Sequence, residues 1–294
     1  MSTAPPVPDA STLERAREAA VAAADAAART VAGFVDRGNW TVSYKGDASP
    51  VTEVDVAAER AIRAALAEAF PEAAFLGEET GRSAGGAGAG PALRWLVDPI
   101  DGTKSFVRGQ PFWSIQIALE ADGELVVGVS SAPAYGERLV AVRGAGATLE
   151  RLRPAGAPGS DGGARAVRVS SVRRPEEAFL SSGNLGSLAR DPARWARYGA
   201  LVARAARTRG YGDFCHYHQL CAGEADLVIE SDVNVLDVAA LTVAVREAGG
   251  TITDLQGRGI DDATRSVLAA ATPELHTAAL AALGSAAAVQ PPSG

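Results

Sequence analysis

Within six residues, Asp98-Pro99-Ile100-Asp101-Gly102-Thr103, the chain sets two carboxylates and a hydroxyl at the end of the apolar run Trp95-Leu96-Val97. Such a run reads as a buried strand, and Pro99 and Gly102 mark its exit into a tight turn. Carboxylates at a strand end in a cleft lose hydration and repel each other, so a cation is the natural compensation. Oxygen donors of this kind suit a hard ion such as Mg²⁺, which keeps waters and shares its shell with phosphate. Asp-Pro and Asp-Gly pairs also build plain turns, and spacing alone does not separate the two readings.

The elements that must position these groups are legible around them. Ser11 with Glu14 forms a capping box, followed by Leu13, Ala20, Ala24, Ala28, Val31 and Val35 at helical spacing until Gly38. Lys45 to Pro50 reads as a loop, and Val51 to Asp55 leads into a second amphipathic helix through Phe70. Taken alone, Asp55 is a helix cap or dipole carboxylate, and adjacent Glu78 and Glu79 are a solvated charge pair. Ala73 to Leu76 is strand-like, and Gly81 to Gly90 lacks the lysine and frame of a phosphate loop and reads as surface loop. Phe112 to Ala121 and Glu124 to Ser131 form a hairpin across Asp122-Gly123, with a further strand at Arg138 to Arg143. Beyond a Gly/Pro/Ser-rich loop at Pro154 to Ala164, strands at Ala178 to Ser181 and Ala225 to Glu230 alternate with helices. Those helices lie at Pro192 to Ala206, after Asp213, and at Val238 to Ala248. Asp237, alone, is an N-cap, and so is Asp213. Strands at Thr251 to Asp254 and Ser266 to Ala271 and a helix at Pro273 to Leu283 close the fold.

Composition excludes several classes. The formal charge of -7 provides no basic face for nucleic acid. Cys215 and Cys221 are too few for a disulfide framework and fit no zinc spacing, so a reducing cytoplasm is the simplest setting. The alanine-rich run after Ser11 is broken by Arg15, Glu18, Asp25 and Arg29, which argues against a signal peptide or membrane span. His216, His218 and His276 form no rival site.

Asp-Pro-Ile-Asp-Gly-Thr resembles the signature of the inositol-monophosphatase-like family of metal-dependent phosphatases, and the resemblance runs from the first helix to the last. It implies a layered αβαβα sandwich, α+β with an α/β part, of the inositol monophosphatase and fructose-1,6-bisphosphatase type. The expected organisation is a tail over 1–10, an N-terminal half over 11–153, a C-terminal half over 165–284 completing the site, and a tail over 285–294. Gly77-Glu78-Glu79 matches the family's glutamate motif, which makes Glu78 a metal ligand. Asp237 followed by Glu247-Ala248-Gly249-Gly250 matches its C-terminal motif, although Leu236 stands where tryptophan is common.

The resemblance therefore implies that Glu78, Asp98, Asp101, Asp237 and the Ile100 carbonyl surround two or three Mg²⁺ ions. It gives the Gly102 and Thr103 amides to the phosphate, and Thr103 with Asp55 to the attacking water, without a covalent phosphoenzyme. The partner implied is a small phosphate monoester, and the assembly a homodimer. Lys104-Ser105-Phe106, Arg108-Gly109 and Gly212-Asp213 with Tyr217 resemble the histidinol-phosphatase branch, with Asp213, Glu230 and Arg108 as substrate contacts. Inositol-1-phosphate or a broad sugar-phosphate range, a 3′-phosphoadenosine-type nucleotide, and a silent regulatory module are the alternatives.

Overall fold

The computed structural model describes residues 8–44, 50–85, 92–152 and 163–284. Residues 1–7 of the tail expected over 1–10, the tail over 285–294, most of the Lys45 to Pro50 loop, residues 86–90 and nearly all of the Pro154 to Ala164 loop lie outside them; Ala10 is helical, not tail. The chain divides into two units: Met1–Ala166 with Leu236–Ala244, and Val167–Val235 with Val245–Gly294.

The first unit begins with α1 (Ala10–Arg37), β1 (Val42–Tyr44), β2 (Pro50–Thr52) and α2 (Glu53–Ala69). It continues with β3 (Ala74–Gly77), β4 (Gly81–Ser83), β5 (Leu93–Asp101) and the short α3 (Thr103–Val107). Then come β6 (Ser114–Ala121), β7 (Glu124–Ala132), β8 (Glu137–Val142), β9 (Gly146–Arg151) and β10 (Ala164–Val167). One sheet runs in the order β10-β9-β8-β7-β6-β5-β3-β4. The cap of α1 is Asp9, not Ser11: its carboxylate accepts from Thr12 N at 2.7 Å and also from the Ser11 hydroxyl. A carboxylate in extended backbone satisfies the orphan amides two residues earlier than the capping box would. Gly81 to Ser83 is also not loop but β4, paired antiparallel with β3.

The two faces of this sheet differ in kind. Trp95, Val97, Ile115, Ile117, Leu119, Val127 and Val129 form a buried core with Ala16, Ala20, Ala24 and Val31 of α1 and with Val54, Ala58 and Ile62 of α2. Small residues on α1 let a long helix lie close to the strands. The alternate positions pair across strands as Leu96 with Ala118, Ala118 with Gly128, Asp98 with Gln116, and Gln116 with Ser130. At Gly128 a Cβ would collide with the backbone of Ala240, so only glycine admits that stretch of helix against β7.

The second unit holds β11 (Phe179–Gly183), α4 (Gly186–Ala189), α5 (Pro192–Arg204), β12 (Arg207–Arg209) and α6 (Asp213–Cys221). It adds β13 (Leu227–Ser231), β14 (Thr251–Thr253), β15 (Ser266–Ala270) and α8 (Pro273–Ala282). Its sheet runs β12-β11-β13-β15-β14, parallel among the first three strands and antiparallel at β15. Between β13 and β14 the chain forms α7 (Val235–Glu247), whose Leu236–Ala244 stretch belongs to the first unit. No helix of the described residues is long and apolar enough to cross a membrane.

Candidate metal and phosphate site

The strand that carries the first two carboxylates does not stop at Pro99. β5 runs on to Asp101, with an irregularity in its pairing to β6 between Asp98 and Asp101. Proline is tolerated there because an irregular register asks for no ladder donor. Gly102, at φ 88°, then turns the chain into α3, and its conformation and the close backbone of Phe112 leave no room for a side chain.

Asp98, Asp101 and Asp237 each place a carboxylate oxygen within 4.8 Å of the others. Asp237 is not the cap of its helix but lies inside the first turn of α7, because that helix begins at Val235. All three residues fall in the first unit. Asp98 is buried, at 2% exposure, and its Oδ1 accepts from Ile100 N at 2.9 Å. Burial, followed by the charges of Glu78, Asp101 and Asp237 and a hydrogen bond with Glu78, pushes the Asp98 carboxyl well above its ordinary range. Glu78 therefore stands beside the same cluster. Two ionised carboxylates 4.8 Å apart repel by about 3 kcal/mol at an effective dielectric of ~20. The donors are carboxylate oxygens, with the Ile100 carbonyl nearby, and no histidine or thiol among them. That chemistry fits a hard divalent cation.

Asp55 opens α2 as the third residue of a capping box with Thr52. Its Oδ2 accepts from Thr52 N at 2.8 Å and from the Thr52 hydroxyl at 2.5 Å, which frees Oδ1 to accept from the Thr103 hydroxyl at 3.2 Å. The cap and the expected pairing with Thr103 are thus both present in one carboxylate. Burial raises its pKa, and the Thr52 and Thr103 bonds pull against that shift. The Thr103 hydroxyl also lies 3.0 Å from Ile100 O, so its single proton has two acceptors.

One buried carboxylate beside the site carries no signature motif in the sequence. Glu59, one helical turn after Asp55 and fully buried, accepts from Glu79 N at 2.7 Å and Thr80 N at 2.8 Å. It thereby holds the turn that presents Glu78, and a Cβ at Gly77 would collide with its carboxyl group. The i, i+4 spacing from Asp55 was the available signal, since it places both on one helix face.

The second unit has a different carboxylate. Glu230, at 1% exposure, accepts from the Tyr217 hydroxyl at 3.0 Å, with His216 Nε2 at 3.2 Å and Asn184 Nδ2 at 3.4 Å. Asp213 is not the cap of α6; Gly212 is, and Asp213 follows it at φ 46°, a left-handed conformation that aspartate tolerates better than most residues. Arg108 and Lys104 are exposed at α3. Cys215 and Cys221 are both buried, and burial pushes the Cys221 thiol far above its ordinary range, which disfavours its reactive thiolate.

Comparison with known proteins identifies a family. Residues 12–288 match the model of the inositol monophosphatase family. A histidinol-phosphatase of Mycobacterium tuberculosis is 42% identical over 74% of this chain and 78% of its own length. An inositol-1-monophosphatase of Rhizobium meliloti is 37% identical over 75% and 78%. Among solved structures, the extragenic suppressor protein suhB of Bartonella henselae superposes with a TM-score of 0.76 at 30% identity, over 90% of this chain and 97% of that one.

Proposed function

The chain belongs to the inositol monophosphatase family and is a phosphoric monoester hydrolase; from that premise we propose that it is a Mg²⁺-dependent histidinol-phosphatase, releasing L-histidinol and phosphate. The observation that carries the chemistry is the convergence of Asp98, Asp101 and Asp237 within 4.8 Å. Glu78 and these three would hold two or three ions, with the Ile100 carbonyl as a further donor. When bound, the ions would neutralise charge on the phosphate oxygens and make a water more acidic.

The chain's own groups do the orienting. With its proton directed to Asp55 Oδ1, Thr103 keeps lone pairs that would accept a hydrogen bond from the attacking water and orient it towards phosphorus; as the water's proton passes to Thr103, the hydroxyl's own proton would pass to Asp55. Gly102 and Thr103 open α3, where backbone N–H groups have no intrahelical acceptor, and would bind the phosphate oxygens. No covalent phosphoenzyme enters the scheme.

The substrate assignment is supported by Lys104, Ser105, Arg108 and Gly212-Asp213, which follow the histidinol-phosphatase branch, and by relatives bearing that name. On the family pattern, Asp213, Glu230 and Arg108 are the candidate substrate contacts, and carboxylates suit the ammonium of an amino-alcohol phosphate. We propose the same assembly as in the family, a homodimer, and a cytoplasmic setting. Rates of the purified protein with Mg²⁺ on L-histidinol phosphate, inositol-1-phosphate and a 3′-phosphoadenosine nucleotide test the assignment. A preference for the first is expected, and equal rates on all three would sink it.

A further inference from the structure

The sheet face that carries Asp98 also carries polar side chains with no part in the scheme above. Ser114 lies opposite Asp101 across the β5–β6 pair, and Gln116 lies opposite Asp98 on one side and Ser130 on the other. All three side chains are buried, Gln116 at 1% exposure. An apolar sheet face would cost less to bury, so the arrangement calls for a reason.

The hydrogen bonds have a direction. Gln116 Nε2 donates to Ser114 Oγ at 2.8 Å and to Ser130 Oγ at 3.1 Å, while Gln116 Oε1 is buried and has no partner among the described residues. The amide is thus turned to use its donors at the expense of its acceptor. A hydroxyl that accepts from an amide keeps its own proton for another group. Ser114 Oγ spends that proton on Asp101 Oδ2, 3.2 Å away.

We infer that Gln116 and Ser114 are positioning residues for the metal centre: the amide polarises the Ser114 hydroxyl, whose bond to Oδ2 of Asp101 fixes how that carboxylate is presented within the acidic cluster. Both would act through Asp101 and not as ligands themselves. The inference rests on the metal reading above. A glutamate at 116 would reverse the chain, because a carboxylate accepts the Ser114 proton and strips Asp101 of its donor.

The test is calorimetric titration of the full-length protein with Mg²⁺ alone, alongside thermal melting in EDTA. Ser114→Ala and Gln116→Met are expected to weaken Mg²⁺ binding about 10- to 100-fold, as outer-sphere partners of metal ligands do. Ser114→Thr, which keeps the hydroxyl, is expected to restore it, a rescue that a merely structural role does not predict. Ser114→Ala binding Mg²⁺ as the wild type does, or Ser114→Thr failing like Ser114→Ala while melting normally, overturns the inference and leaves the metal reading standing. Wild-type protein that takes up no Mg²⁺ overturns both.

Discussion

Asp98 in the first unit and Glu230 in the second are equally buried carboxylates with opposite surroundings. Around Glu230 the chain has gathered donors: the Tyr217 hydroxyl, His216 Nε2 and Asn184 Nδ2. His216 is itself placed by Ser181 Oγ, 3.4 Å from Nδ1, and an ionised Glu230 can only accept, so the proton belongs on Nε2. Around Asp98 the chain has gathered more negative charge, from Glu78, Asp101 and Asp237, with one backbone amide in return. The first arrangement is complete within the protein and fixes an acceptor in place. The second gathers negative charge that a cation would offset, and that difference in surroundings sets the two carboxylates apart.

The largest expected effect comes from removing a charge where charge is in excess. Asp98→Asn should lower kcat/KM for phosphate-ester hydrolysis by about 10³-fold or more, matching the several kcal/mol that a metal ion contributes to the transition state. The same substitution should raise the melting midpoint of the EDTA-treated protein, because it relieves repulsion. Glu230→Gln should do the opposite, destabilising by about 1–3 kcal/mol in denaturant titration because one of two accepting oxygens becomes an amide N–H, which must face either the Tyr217 and His216 donors or that of Asn184. If both variants shift stability in one direction, the contrast between the two carboxylates fails.

A pH limb distinguishes the second unit further. Burial lowers the His276 pKa to about 4, with Thr253 Oγ1 2.9 Å from its Nε2. Since the unfolded value is higher, at 6.5, the unfolded chain binds more protons between these two values. This contribution, up to about 3 kcal/mol, is present above the unfolded value and is lost as pH falls through the folded one. Replacement by an uncharged residue, His276→Gln, should flatten acid melting curves in that window without altering the number of Mg²⁺ ions bound. Smaller still, Glu59→Gln should weaken Mg²⁺ binding by about 10-fold, because one of the two amides behind Glu78 loses its acceptor.

What the sequence made legible was local and contiguous. Asp98 to Thr103 carries its chemistry within one turn of chain, and Glu78, Asp237 and Asp55 each sit in a short motif. Asp122-Gly123 announced its hairpin through two residues at positive φ. Glu59 was illegible because a buried carboxylate on an amphipathic helix reads the same as a solvated one; what distinguishes it is the pair of amides arriving from 20 and 21 residues away. Ser114, Gln116 and Ser130 were hidden for a similar reason, since strand pairing across β5, β6 and β7 brings them together. The short edge strands β4 and β12 carry polar and glycine residues that mimic loops. Asp9 took the cap from Ser11 because the helix starts one residue after it, a shift that propensity does not resolve.

The most direct test of the central claim is Mg²⁺ titration of wild type and Asp98→Asn, read by melting midpoint and calorimetry together. Mg²⁺ is expected to raise the wild-type midpoint and to leave the variant's nearly unchanged, with the variant the more stable of the two in EDTA. Wild-type protein indifferent to Mg²⁺, or a metal-free variant less stable than wild type, would contradict it.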